Sequence, residues 1–421
     1  VELDMKVSES DNKISEFEIK QSPCLEKYAN LQTHLMDVLF IYKDLPSVVI
    51  KDVLVENKPN TSITKVIGMD APSAVILNYN DYSYIKWIID EKSFNFLKIF
   101  LHKKLDLLSR KLVYRSLYDS LRDAKISSIE YIETVCEFLE EEEDESLVIN
   151  NLNYMSTAVL YFTPRKLQEY FYEKLWDITS VKIVQFFKKK QSYLGLISLL
   201  ISFSVSEKHI KLMQKWLIEE PVVWVHQESF HINSTNITQD HRFSILCKVF
   251  QLRELSLETK MKLLDDEKER DKNTDKSIKA EITCKAALPD KKNKEEVWDK
   301  LVNFPKSDSL HNKRALMMGF APINQIDLVE EFLTEKFFDD ISIIGKNDYF
   351  YIDYFLMFCA PTIFVDQKII EKFEAKISTM DSTLDYTKKN LIEMVDDIKR
   401  YQKAQAFTTL KASLLNRWSK F

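Results

Sequence analysis

The chain has 421 residues, 45% of them apolar and 29% charged, which is long enough to bury two or more cores and too apolar for a disordered chain. Its 4 glycines and 10 prolines are too few for a fold built on many tight turns, so helix is expected to dominate. With 65 acidic against 59 basic side chains the net charge is -6, so the basic excess that neutralises a phosphate backbone is missing and nucleic acid is not an expected partner.

From Val1 to about Met69 apolar residues alternate with polar ones, over Leu3-Asp4-Met5-Lys6-Val7, Ile14 to Ile19, Met36 to Tyr42, Val48 to Val53 and Thr61 to Ile67. The intervening segments, Ser10-Asp11-Asn12, Gln21-Ser22-Pro23 and Asn57-Lys58-Pro59-Asn60, are turn formers. This spacing predicts a small β-sandwich over residues 1–72, without parallel pairing.

From Glu91 onward the period changes to three and four, as in Phe94, Leu97, Leu101, Leu105 and Ile129, Ile132, Val135, Cys136, Leu139. Ser127-Ser128 before Glu130, and Thr163-Pro164 before Arg165, are helix-start signals. Short helices repeated to the C-terminus predict a mainly α fold, a HEAT- or armadillo-like solenoid over 73–421 curving into a bowl. The longest apolar run, Leu194 to Val205, falls short of the roughly 20 residues a membrane span needs and is expected to be a buried helix. The charged stretches Glu140 to Glu145 and Asp265 to Lys279 read as solvated turn and helix end, and the aromatic clusters at Tyr170 to Tyr172 and Tyr349 to Tyr351 as core.

Known catalytic patterns are missing. The five cysteines, Cys24, Cys136, Cys247, Cys284 and Cys359, show no C-x-x-C spacing, and their odd number fits a reduced, cytoplasmic compartment better than secretion. No two of the seven histidines have the i, i+4 spacing of H-E-x-x-H, the nearest approach being His226 and His231, which would not share a helix face. The glycines Gly68, Gly195, Gly319 and Gly345 are too scattered to form a phosphate-binding loop.

Leu77, Asn78, Asp81, Tyr84, Lys86, Asp90 and Ser93 fit the pattern L-N-x-x-D-x-x-Y-x-K-x-x-x-D-x-x-S. This resembles the junction by which aminopeptidase N family zinc peptidases enter their large C-terminal helical domain. Phe17-Glu18-Ile19-Lys20-Gln21-Ser22 and Thr33-His34-Leu35 before it are similar to strand landmarks of the family. After it, Asp106 with Ser109-Arg110, Tyr118 to Ala124, Lys285 to Asp290 with Lys294 and Trp298, and Phe358 to Pro361 with Glu393, Asp397 and Arg400 follow in order. The resemblance is strongest to the bacterial-type branch, with a C-terminal domain of the endoplasmic-reticulum-aminopeptidase type.

The resemblance implies the β-sandwich and helical bowl of such a peptidase. Its zinc and its H-E-x-x-H and G-x-M-E-N motifs would lie in an upstream catalytic domain, so this chain is expected to be inactive alone and to hold no metal or cofactor. The helical domain would close the peptide-access chamber, with the catalytic domain and peptides as partners. Lys389 and Arg400, on a late helix, are the residues the resemblance offers for a peptide carboxylate; the bland alternative is surface charge balanced by Glu393, Asp396 and Asp397. The opening Val1 suggests a chain that begins inside a longer product. The competing function is a catalytically dead interaction scaffold derived from the same family.

Overall fold

The computed structural model describes residues 1–24, 29–225, 228–232, 236–303 and 308–414. The chain divides into two compact units, one comprising 1–154 with the end of the last helix from Phe407, the other comprising most of the remainder, Met155–Ala406.

In the first unit β1 (Glu2–Ser10) and β2 (Lys13–Ser22) form a hairpin through Asp11 and Asn12, whose φ values of 53° and 60° are those of a two-residue turn matched to strand twist. β3 (His34–Ile41), β4 (Val48–Val55), β5 (Asn60–Ser62), β6 (Ala74–Tyr79) and β7 (Lys86–Trp87) complete two sheets, ordered β5-β2-β1-β7 and β4-β3-β6. Alternation buries Leu3, Met5, Ile14, Phe17 and Ile19 from one sheet and Met36, Val38, Phe40, Val53 and Val55 from the other. The rings of Phe17 and Phe40 meet at 5.5 Å, joining the two sets into one core.

Two features depart from the sequence expectation. Strands continue to Trp87, because Ala74-Val75-Ile76-Leu77 is a run of four buried residues rather than an alternating one. Its second face is covered by the helix Glu91–Lys104, whose Ser93 Oγ accepts from Val75 N at 2.9 Å. A strand buried on both faces loses the period-2 signal. One parallel pairing also exists, over Glu2↔Lys86 and Leu3↔Trp87, where the chain leaves the three-stranded sheet and returns at the open edge of the other.

The helices Leu107–Arg122, Ser128–Glu141 and Glu145–Thr157 follow, the last running into a π turn, Ala158–Phe162. Most helix starts carry an Asp, Ser or Thr whose side chain accepts from an early backbone N–H, including Asp90, Asp106, Ser127, Ser206, Asp290 and Asp366. Just past two helix ends Ala124 and Lys190 both take φ 56°, in the position glycine usually fills.

The second unit contains the helices Arg165–Lys188, Leu194–Phe203 and Glu207–Lys215, then a hairpin of β8 (Val222–Val225) and β9 (Glu228–His231) not anticipated within a helical region. Gln239–Phe250, Leu257–Arg270, Asp275–Ala286, Lys291–Val302 and Leu310–Phe320 come next. Ile326–Glu331 continues through a π turn into Phe337–Ile344, and Tyr349–Cys359, Gln367–Thr379 and Asp385–Leu414 end the described chain. Trp298 sits within a large apolar cluster, with Phe320, Phe332 and Phe355 at 5.3, 5.7 and 5.7 Å, and its Nε1 donates to Asp340 at 2.9 Å. At Gly319 an added Cβ would lie 2.2 Å from the carbonyl oxygen of Thr283, so Leu310–Phe320 and Asp275–Ala286 pack backbone against backbone.

Neither charged stretch is solvated throughout. Glu142 is fully buried and bound through both oxygens to Arg110, at 2.9 and 2.8 Å, while Glu267 is buried against Arg242, whose Nε donates to it at 2.8 Å. A charge run shows local composition but not the partner that folding brings from another helix.

Candidate functional site

One concavity of the second unit is built on the start of the helix Arg165–Lys188. Pro164 fixes its entry, Thr163 Oγ1 donates to Ala158 O at 2.9 Å, and Gln168 Nε2 straps the turn by donating to Leu160 O and Thr163 O at 3.0 and 3.1 Å. Positions i, i+3, i+4, i+7 and i+8 then place Arg165, Gln168, Glu169, Tyr172 and Glu173 along one face. Opposite them stand Phe203, Val205, Ser206 and His209, with Ile323 and Asn324 at the end, around a cavity of about 310 Å³. A second cavity of about 190 Å³ shares Arg165, Gln168 and Ile323 and extends the groove past Phe364 and Asp366 to Gln405.

Charges in this groove are mixed. Arg165 is exposed and has no ion-pair partner among the described residues. His209 is buried with its ring stacked on Trp176, centroids 3.9 Å apart, and its Nε2 lies 3.4 Å from Glu173. Burial pushes the imidazole down to about 4 despite the pull of Glu173, so it is neutral at pH 7. The Oδ1 of Asn324 is buried without a hydrogen-bond partner. A groove with one free cation, several acceptors and aromatic and aliphatic walls suits an extended zwitterionic ligand such as a peptide.

Lys389 and Arg400 lie on the helix Asp385–Leu414, eleven positions and so roughly 16 Å apart on nearly the same face. Each has a neighbour one turn away: Lys389 Nζ is 3.9 Å from Glu393, and Arg400 donates to Asp396 at 3.3 Å. Neither lines the groove built on Arg165. The sequence signal for that groove was present only in part: Thr163-Pro164 marked the helix start, but the opposing walls come from about 40 and 160 residues further on.

The motifs of the sequence prove to be mainly architectural. Asn78, at φ 54°, folds over the turn before β7 by accepting from Ser83 N at 2.9 Å and donating to Ser83 O at 2.7 Å. Asp90 caps the first helix through Ser93 N at 3.0 Å, and Lys86 bonds Asp123. Lys294 is fully buried, donating to Ala286 O and Phe320 O at 2.9 and 2.8 Å, so its amino group, whose pKa burial lowers to about 7, ties together the C-terminal ends of two helices. Among the described residues no group of three or more His, Cys, Asp and Glu side chains is placed to hold a metal ion; His226 lies outside them. No described helix is long and apolar enough to cross a membrane.

The chain is 20% identical over 349 residues to Aminopeptidase N of Streptomyces lividans, a match that covers 82% of this chain and 38% of that protein. The chain therefore spans well under half the length of this curated relative. The family model described as the ERAP1-like C-terminal domain matches residues 74–400, from the first residue of β6 to Arg400, and the chain belongs to that family.

Proposed function

We propose that the chain is the non-catalytic C-terminal region of an aminopeptidase N-like zinc peptidase, closing the peptide-access chamber over an upstream catalytic domain that carries the zinc. The β-region would be the β-sandwich and the helical region the HEAT-like bowl of such a peptidase. The observation that carries the peptide role is the groove at Arg165, where an unpaired guanidinium stands beside acceptors and aromatic walls. In this reading Arg165 takes a peptide carboxylate through charge-assisted hydrogen bonds, and Lys389 and Arg400 are secondary cations whose own acidic neighbours weaken them as ligands.

Titration calorimetry of the full chain with one peptide, as the free acid and as the C-terminal amide, tests this. The free acid is expected to bind more tightly, Arg165→Gln to erase the difference, and Lys389→Ala and Arg400→Ala to change it little. Equal binding of both peptides, or a difference untouched by Arg165→Gln, would overturn the assignment. Purified chain is further expected to contain no stoichiometric zinc and to release no chromophore from an aminoacyl anilide. Turnover abolished by a chelator would mean that the chain is itself catalytic. The alternative, a catalytically dead scaffold, predicts that neither peptide binds.

A further inference from the structure

Cys247 lies on the helix Gln239–Phe250 and Cys284 on the neighbouring helix Asp275–Ala286, 37 positions away in sequence, yet their Sγ atoms are 3.2 Å apart. Both are free thiols. Cys284 is fully buried in a small core with Phe243, Leu246, Phe250 and Leu264, against which Cys247 packs from a half-buried position. The two sulfurs differ in access. Cys247 lines a cavity of about 300 Å³ that also carries Lys276, Lys279, His311 and Arg314, with Asp240 bonded to Lys276 at its edge. Cys284 has no exposed surface and does not line that cavity.

We propose that Cys247 and Cys284 form a redox-responsive dithiol, closed to a disulfide by exchange with a low-molecular-weight disulfide of the glutathione class. Cys247 loses its proton and attacks one sulfur of the small disulfide, forming a mixed disulfide and releasing one small thiol, which takes up a proton. Cys284 then loses its proton and attacks Cys247 Sγ; the bond to the small thiol breaks, and a second small thiol leaves. Two protein thiols are oxidised and one disulfide is reduced to two thiols, so protons and electrons balance. The lysine and arginine side chains that line the cavity beside Cys247 suit the carboxylates of glutathione. Burial pushes the Cys284 thiol up, which fits the resolving rather than the attacking role.

Closure requires the sulfurs to approach by about 1 Å to reach bond length. Asp275–Ala286 also packs closely against Leu310–Phe320, with Gly319 against the backbone of Thr283. Gln239–Phe250 is held near its start, where Arg242 bonds Glu267 and donates to the carbonyls of Trp216 and Leu217 at 3.2 and 2.7 Å. Cys247 lies beyond that anchor, one turn further along, where a small rotation of the helix end supplies the movement.

The test holds the full chain in glutathione buffers of rising oxidised fraction, traps remaining thiols by alkylation, and reads the intact mass and the digest. Two of the five thiols should disappear together, with a cross-linked peptide joining Cys247 and Cys284, no retained glutathione, and full reversal by dithiothreitol. Cys284→Ala should instead retain glutathione on Cys247, and Cys247→Ala should block both products. The wild-type cross-link does not depend on either variant folding. Retention of all five thiols, a stable glutathione adduct on wild-type Cys247, or a cross-link through another cysteine would each overturn the proposal.

Discussion

Arg110 grips both carboxylate oxygens of Glu142, a residue with no exposed side chain surface, across a gap of 32 positions in sequence. Glu142 also accepts from the backbone of Glu143 and Asp144 at 3.1 and 3.2 Å, so its charge is fully committed. Replacing Arg110 by Met strands that carboxylate in the interior and is expected to cost about 3 to 5 kcal/mol, whereas Arg110→Met combined with Glu142→Leu should cost clearly less. Urea denaturation of both variants decides. A single variant within about 1 kcal/mol of wild type would mean that the pair is solvated in solution.

The junction offers two separable changes. Asp90→Ala removes only a cap on the helix Glu91–Lys104 and should cost about 1 kcal/mol. Ser93→Ala leaves Val75 N inside the structure without its acceptor, and about 1 to 3 kcal/mol is expected. Because the two bonds share Ser93, a double-variant cycle should show coupling. Equal denaturation midpoints for both variants and wild type would remove this account of the motif.

His209 gives a pH signature. Its folded-state value of about 4 lies below the ordinary 6.5, so between those values the unfolded chain binds the proton and the folded one does not. Its contribution is therefore fully present above pH 6.5 and is lost as pH falls toward 4. His209→Phe keeps an aromatic surface against Trp176 and should flatten the stability slope across that window relative to wild type. Parallel slopes for the two proteins, measured by denaturation at half-unit steps, would show that another group titrates there.

Gly319→Ala should be one of the costlier small substitutions, since its Cβ would meet the carbonyl oxygen of Thr283 at 2.2 Å and Ala286 Cβ at 2.7 Å. Backbone cannot rotate aside as a side chain can, so a loss of about 1 to 3 kcal/mol is expected from thermal or urea unfolding. An alanine tolerated without loss would mean that the two helices have room to separate.

What could be read in advance follows from the range of each interaction. β1 and β2 were legible because much of each strand alternates buried with exposed residues, and Asp90 because a cap lies within three residues of its partner. β6 was not, because burial on both faces erases the period, and the β8–β9 hairpin because its four-residue strands are short and lie among helices. Glu142 and Glu267 read as solvated since Arg110 and Arg242 are 32 and 25 positions distant. The same reason hid the groove and the thiol pair. Their side chains are ordinary one by one, and only packing makes Arg165 face Asn324, or Cys247 touch Cys284.

Thr408, near the end of the last helix, accepts from Ser128 N at 3.0 Å and donates to Ser128 Oγ at 3.3 Å, joining the first unit across 280 residues. Both side chains are completely buried, so the contact is part of that unit's interior. A growing polypeptide emerges from its N-terminus onward, and the strands and early helices are made long before Thr408 exists. The first unit must therefore wait, with the surface around Ser128 uncovered, while the whole second unit is synthesised. Ribosome-bound chains halted before residue 407 should expose this surface to chaperones, and those halted after the last helix should not.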